Sequence, residues 1–188
     1  LKRLFGSDFP YRGAPSTPIR SSKIGSFTPS LAVGGFSNVW GAAFLPFSAR
    51  DIATWPISLP DLEPAYREVL SYVGLAGSHD ELSTLFPLYT DALHTLPLST
   101  QARTFLHRAQ KHHAKLLAHG LYVGQSRLAI RSEQKLCRAC GMCLYGCPYG
   151  LIYHSSLTLH ELTQFSHFTY RPDLIVHRVE ESQGKVTI

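Results

Sequence analysis

Residues 33–42 read VGGFSNVWGA, a glycine-rich stretch that is unusually apolar for a solvated loop. We call it the glycine segment. Paired glycines let a backbone pass close to a ligand, because no Cβ stands in the way. Ser37 and Asn38 add short hydrogen-bonding side chains, and Trp40 adds a flat apolar surface with one N–H donor. The segment therefore indicates either a wall against a flat heteroaromatic cofactor or a tight buried turn between two elements.

All four cysteines lie within residues 137–150, CRACGMCLYGCPYG, which we call the cysteine segment. Their spacing, C-x₂-C-x₂-C-x₃-C-P, matches that of bacterial ferredoxins. Soft thiolates at these offsets can surround an iron–sulfur cube, and Gly141 lets the loop turn tightly. The predicted ligands of a [4Fe–4S] cluster are Cys137, Cys140, Cys143 and Cys147.

The four cysteines are also compatible with zinc, with disulfides or with free thiols. A structural Zn²⁺ would use four thiolates, although two C-x₂-C pairs with a longer spacer are more usual. Disulfides would require export, for which the sequence shows no signal. Unligated buried thiols are the simplest case, since free Cys is among the most buried residue types. In two-cluster ferredoxins the fourth cysteine serves the other cluster, so Cys147 either closes this cluster or does something else.

The remainder of the chain predicts an α+β fold with an irregular start, a helical middle and a β return. Residues 1–30 are rich in Pro, Gly and Ser and predict an extended segment with neither helix nor strand. Apolar periodicity predicts helices over residues 62–73 and 100–119. The second helix is expected to bury a face made of Phe105, Leu106, Ala109, His113, Leu116 and Leu117.

Later stretches predict shorter elements. Residues 121–130 alternate loosely and suggest short strands, and a short helix is expected to begin near Ser155. Residues 173–188, DLIVHRVEESQGKVTI, are typical of a β-hairpin with a glycine turn.

Composition excludes several classes of function. The 188 residues are 44% hydrophobic and 16% charged, and the formal charge of +5 is scattered without a basic cluster. We therefore expect no nucleic-acid partner. No apolar run could span a bilayer, and no signal peptide opens the chain, so a cytoplasmic location is expected. The 10 histidines lack metal-binding helical spacing and are assigned to surface or core roles. The first residue, Leu1, and a final strand that stops short suggest a piece of a longer protein.

The sequence GGFSNVWG, followed by RDIATWPISLPDLEPAYREVL, resembles the glucose–methanol–choline (GMC) oxidoreductases, which depend on FAD. That family carries a Gly-Gly-x-Ser stretch against the flavin, then an acidic residue, a Trp-Pro pair and an amphipathic helix with an early Tyr. Several branches of that family also have a cysteine run, which CGMCLYGCPYGLIYHSS resembles. The similarity therefore spans most of residues 26–188. The residues of this chain that match the first part of the pattern are Gly34, Gly35, Ser37, Asp51, Trp55, Pro56 and Tyr66.

This resemblance implies part of a GMC-type FAD-binding fold. Val39 stands where one branch of the family has a His that binds flavin covalently, so a non-covalent flavin is expected. No G-x-G-x-x-G occurs in this sequence, so the βαβ unit that binds the ADP half of FAD is not visible. The region that carries the family's catalytic His pair is not visible either. The flavin-facing wall is expected to consist of Gly34, Gly35, Ser37, Asn38, Trp40 and Gly41.

The predicted activity is oxidation of an alcohol or sugar-like substrate by hydride transfer to flavin, with a [4Fe–4S] cluster passing electrons to an acceptor. The catalytic base is not assigned. One alternative is a ferredoxin-like electron-transfer module whose glycine segment is only a turn, and a third is a zinc-stabilised interaction domain. By function, residues 1–60 are expected to face the flavin, and residues 61–130 to form a helical insertion or substrate-side lobe. Residues 131–153 would be the iron–sulfur-like part, and residues 154–188 a helix and hairpin returning to the FAD domain.

Overall fold

The structure, a computed structural model, describes residues 7–13, 19–21, 25–131, 137–176 and 178–187, with backbone only for 19–21. Over these residues it contains four α-helices, four short 3₁₀ helices and three two-stranded sheets. This mixture of helices and small sheets confirms the α+β prediction at the level of fold class. The chain divides into two compact units, residues 1–155 and 156–188.

The prediction that residues 1–30 contain neither helix nor strand is wrong. Strands β1 (Ile19–Ser21) and β2 (Gly25–Phe27) pair antiparallel, with Ile19 opposite Phe27. A 3₁₀ helix, Phe9–Tyr11, precedes them, and Pro10 supplies the fixed φ that suits a first helical turn. Three-residue elements are too short to leave a periodic pattern in the sequence, which explains the error.

Helix α1 (Leu59–Val73) confirms the first predicted helix and begins at Leu59 rather than at Leu62. The earlier start follows from its cap, because the Ser58 N–H donates to the Asp61 carboxylate at 2.8 Å. Gly74 ends the helix and donates its N–H to the Leu70 carbonyl at 3.1 Å. The helix buries Leu70 and Val73.

The second predicted helix is divided into α2 (Thr100–Lys111) and α3 (His113–Ala118), which meet at His112. The expected burial of its apolar face is wrong, because neither helix contains a buried residue and Phe105 is 61% exposed. Apolar periodicity correctly predicts the helical conformation. It does not determine whether another element covers the apolar face.

The core of residues 1–155 is organised around residues 127–131. Two-residue strands β3 (Leu75–Ala76) and β4 (Leu93–His94) pair in parallel. The Ala76 N–H donates to the Leu128 carbonyl at 2.8 Å, and the Ala129 N–H donates to the Ala42 carbonyl at 2.8 Å. The strands expected over residues 121–130 are therefore isolated bridges at Leu128 and Ile130. The two core clusters consist of Ala42, Ala76, Ile130, Leu151 and Ile152, and of Leu70, Val73, Leu75, Leu88 and Ala129.

A buried ion pair holds residues 78–83 to residues 124–127. The Arg127 side chain is only 1% exposed and donates from Nη2 to Asp80 at 2.7 Å. Burial alone would raise the pKa of Asp80, but hydrogen bonds from Arg127, Gln125 and Ser78 outweigh it, so this pKa lies below its usual value. The Asp80 carboxylate also requires a glycine opposite it, because a Cβ on Gly124 would lie 2.5 Å from Oδ2.

The chain from Ser155 onward contains two predicted elements. Helix α4 (Ser155–Leu162) begins at Ser155, as expected. Strands β5 (Glu180–Ser182) and β6 (Lys185–Thr187) confirm the hairpin, with a turn at Gln183 and Gly184, which both have positive φ. Among the residues that the structure describes, no helix combines the length and apolar character needed to cross a membrane.

Candidate functional site

The glycine segment is a 3₁₀ helix, Gly35–Val39, preceded by Gly34 with φ of 82°. Gly35 also has a positive φ, 51°. Residues other than glycine rarely adopt a positive φ, so the backbone conformation alone explains the paired glycines. Among the described residues, a Cβ added to Gly35 would meet only Ser30 Cβ, at 4.0 Å, so none of them closely covers the outer face of Gly35.

Polar side chains of the glycine segment donate hydrogen bonds within the protein. The Ser37 hydroxyl donates to the Gly34 carbonyl, and the Asn38 amide donates to the carbonyls of Val33 at 3.0 Å and Gly35 at 2.7 Å. Ser37 Oγ also accepts the Ser155 N–H at 3.0 Å. These contacts stabilise the turn, so the assignment of Ser37 and Asn38 to a flavin wall stays a prediction.

Trp40 joins the glycine segment to the chain beyond the cysteine segment. Its indole N–H donates to the Tyr153 carbonyl at 2.9 Å. The ring packs against both core clusters, one of which also contacts Cys137, Cys143 and Cys147. Trp40 therefore lies at the junction of the two segments, and no local pattern in the sequence points to its partner 113 residues away.

The cysteine segment brings its four thiols around one cavity. Cys143–Tyr145 form a 3₁₀ turn, and the four cysteines are not disulfide-bonded to one another in this structure. Cys137, Cys143 and Cys147 are half-buried against the apolar core, whereas Cys140 is exposed. A cavity of about 40 Å³, larger than the ~10–15 Å³ needed for one water, is lined by all four together with Ile130, Leu151 and Ile152.

The surroundings of Cys143 favour its neutral thiol. Burial raises the pKa of this thiol, and the neighbouring Cys137, Cys147 and Cys140 raise it further. Metal binding requires the thiolate form, so a metal bound at Cys143 would release its proton.

The thiols are not arranged around a single ion. Among the described residues, no three His, Cys, Asp or Glu side chains are placed to hold a metal ion. A zinc site needs four sulfurs at about 2.3 Å from one point. In a [4Fe–4S] cluster each thiolate binds a different iron, so the ligands lie farther apart.

The cysteine segment and the glycine segment pack directly against each other. A Cβ on Gly146 would lie 3.1 Å from the Asn38 carbonyl oxygen, and a Cβ on Gly41 would overlap the Leu144 side chain. Gly41, expected in the flavin wall, thus has its Cα against the cysteine segment. The sequence identified each segment but not their contact. The small residues Gly41 and Gly146 were the only local sign of a close approach.

A cavity of about 230 Å³ lies at this contact and is lined by residues of both segments, among them Ser37, Asn38 and Cys147. Ser7 also lines it, is 3% exposed, and its hydroxyl has no hydrogen-bond partner among the described residues. Sequence reasoning missed two serines: Ser7, which lines this cavity, and Ser155, which lies outside the described lining and donates its N–H to Ser37. Neither carries a motif, since their proximity to Ser37 results from the fold.

Comparison with models of known protein families finds no match to this chain, and comparison with curated proteins finds none either.

Proposed function

We propose that this chain is the iron–sulfur-binding portion of an FAD-dependent oxidoreductase that oxidises an alcohol. The observation that carries the proposal is the packing of the cysteine segment on the glycine segment, with Gly146 against the Asn38 carbonyl. Two motifs that resemble one family, about 100 residues apart in the chain, lie side by side. A GMC-type FAD-binding fold is part of the same proposal.

The donor set of the cysteine segment suits a cluster. Four soft thiols line one cavity whose other described lining residues include no carboxylate and no histidine. Three of the thiols rest against apolar residues, which exclude water from that side, and the exposed Cys140 lies at the surface. Cys137, Cys140, Cys143 and Cys147 would hold the cluster, each through one sulfur.

The glycine segment offers the flavin a backbone surface rather than polar side chains. Its most suitable position is the outer face of Gly35, where nothing in the described structure lies closer than Ser30 Cβ at 4.0 Å. When bound, flavin would accept the hydride of the alcohol, and the cluster would carry single electrons. The chain's own contribution is to hold the two sites next to each other through Trp40, which contacts the core behind the thiols.

A second candidate function, a ferredoxin-like electron-transfer module, is favoured by one observation. Both N–H groups of the Asn38 amide and the indole N–H of Trp40 are used in hydrogen bonds to backbone carbonyls. Such bonds are sufficient to account for the glycine segment as a structural turn. In that case the cysteine segment alone would carry the function.

Iron, sulfide and flavin contents distinguish the two candidates. They are measured on protein expressed from the whole reading frame that encodes this chain and purified without oxygen. The first predicts about four irons per chain with matching sulfide, together with flavin absorption bands. The second predicts the same iron without flavin. Cys140→Ser should lose most of the iron, because a hydroxyl is a poor ligand for a soft metal site. Arg138→Ser, an exposed residue of the same segment without a ligand atom, is the matched control. Protein with neither iron nor flavin would contradict both candidates.

A further inference from the structure

Helices α2 and α3 carry most of the excess positive charge of the chain. The whole sequence has 18 Lys and Arg, and four of them lie in this helix pair, which leaves 14 against 13 Asp and Glu elsewhere. Residues 92–132 include no Asp or Glu. The basic residues are spread along the sequence, but the imbalance between the two signs is local. The four basic residues of the helix pair are all exposed: Arg103, Arg108, Lys111 and Lys115.

The charges of these four side chains are not compensated by described carboxylates. None of the four forms an ion pair with a residue that the structure describes. The helix pair has one such contact, in which His113 Nε2 lies 2.5 Å from the Glu81 carboxylate. An exposed helix with cations and without acids attracts an anionic partner.

One exposed face combines basic side chains with an aromatic ring. Its residues follow one another at steps of three and four, which places them along the same side of a helix: Phe105, Arg108, His112, Lys115 and His119. Lys111 lies beside Arg108 and Lys115 at the same steps. The Leu116 N–H donates to the His112 carbonyl at 3.0 Å, so the helical path continues where α2 meets α3. At 1.5 Å per residue this face is about 21 Å long.

A different side of the helix pair rests on the protein. Its residues are half-buried, namely Ala102, Leu106, Ala109 and Leu116. Their burial fixes the orientation of the helices, so the basic face is held toward solvent. Phe105 is 61% exposed on that face, and Leu98 and Leu121 are exposed near the two ends of the helix pair.

We propose that this face binds the surface of an anionic phospholipid membrane. The headgroups lie at Arg108, Lys111 and Lys115, and Phe105 inserts between them. Basic side chains together with exposed apolar ones are the two features by which interfacial helices bind lipid. Mobile headgroups adapt to any row of cations, whereas a protein partner needs carboxylates at matching positions. The face belongs to neither the glycine segment nor the cysteine segment, so this proposal depends on neither flavin nor cluster.

The test is co-sedimentation of lipid vesicles with protein expressed from the whole reading frame. Phosphatidylcholine with about 30% phosphatidylserine provides the anionic surface, and phosphatidylcholine alone provides the neutral one. We expect saturable binding to the anionic vesicles only, and release as salt is raised to about 0.5 M, because salt screens exposed charges. Arg108→Gln combined with Lys115→Gln should weaken binding about 25-fold, at about fivefold for each basic side chain near such a surface.

Arg50→Gln combined with Arg171→Gln is the matched control. It removes two exposed arginines outside the helix pair and changes the net charge equally, so binding should be almost unchanged. Phe105→Ser keeps every charge and should weaken binding about fivefold, since its apolar contact with lipid is lost. Circular dichroism confirms that each variant is folded.

Equal losses in the helix variant and in the matched control would overturn the proposal, because binding would then reflect net charge alone. Equal binding to both kinds of vesicle, or binding to neither, would also overturn it. Retention of wild type on polyglutamate beads without vesicle binding would overturn it in favour of an acidic protein partner.

Discussion

Two glycines of the cysteine segment allow the contact with the glycine segment to be measured. Gly146 has φ of 92° and ψ of 141°, and an added Cβ would lie 3.1 Å from the Asn38 carbonyl oxygen. Gly150 has φ of 64°, and an added Cβ would meet no atom of the described residues within 4 Å. Alanine at both positions therefore bears a backbone penalty, but only at Gly146 does it also press on a neighbouring backbone.

The expected magnitudes follow from these geometries. Gly150→Ala bears the left-handed penalty alone, about 1–2 kcal/mol. Gly146→Ala adopts a conformation almost restricted to glycine and also displaces the carbonyl, so we expect about 3 kcal/mol. Both are losses in the free energy of unfolding.

Urea unfolding followed by tryptophan fluorescence is the appropriate assay. Trp40 lies at the contact, whereas Trp55 lies outside it, so Trp55→Phe isolates the relevant signal. Iron content after anaerobic purification should fall in Gly146→Ala and be retained in Gly150→Ala. Losses in stability that agree within about 0.5 kcal/mol would refute the argument, since the contact with Asn38 would then add nothing.

Three further predictions concern other parts of the chain. Asp80→Ala should reduce the free energy of unfolding by about 3–5 kcal/mol, because it leaves the buried Arg127 without a counter-charge; urea unfolding measures this, with the exposed Glu63→Ala as control. Folding lowers the pKa of Asp80, so its carboxylate stabilises the fold above the unfolded pKa of about 3.9. This stabilisation is lost as pH falls through the lower folded pKa. Thermal unfolding at stepped acidic pH should therefore show a steeper decline in melting temperature for wild type than for Asp80→Ala. Gly35→Val should abolish flavin retention in the whole protein, and unchanged flavin content would mean that this glycine serves only the turn.

Local signals account for the parts of the fold that the sequence predicted correctly. Helix α1 has an apolar periodicity that ends at Gly74, and the last hairpin has a glycine turn at Gly184. Each signal acts over a few residues, so it can be identified without the tertiary structure. The failure at Phe105 is different, because burial of a helix face depends on whether another element reaches it.

The sequence allowed candidate site residues to be predicted but not their arrangement. Cysteine spacing is a local property, and the structure indeed places all four thiols around one cavity. The inward hydrogen bond of Trp40 to Tyr153, and the bond from Ser155 to Ser37, join residues more than 100 positions apart. Such pairs leave no periodic or compositional trace in a single sequence.

The central position of residues 127–131 has a consequence for synthesis on the ribosome. Phe44 donates its N–H to the Arg127 carbonyl at 3.0 Å, although the two residues are 83 positions apart. At about 5–20 residues per second, translation needs about 4–17 s to supply that partner after Phe44 is made. During this interval the glycine segment can contact the earlier Tyr11 through Phe36, but it lacks the cysteine segment on which it packs in the native fold. Synonymous codons that slow translation between these two positions would prolong that interval and reduce the yield of folded protein without changing any amino acid.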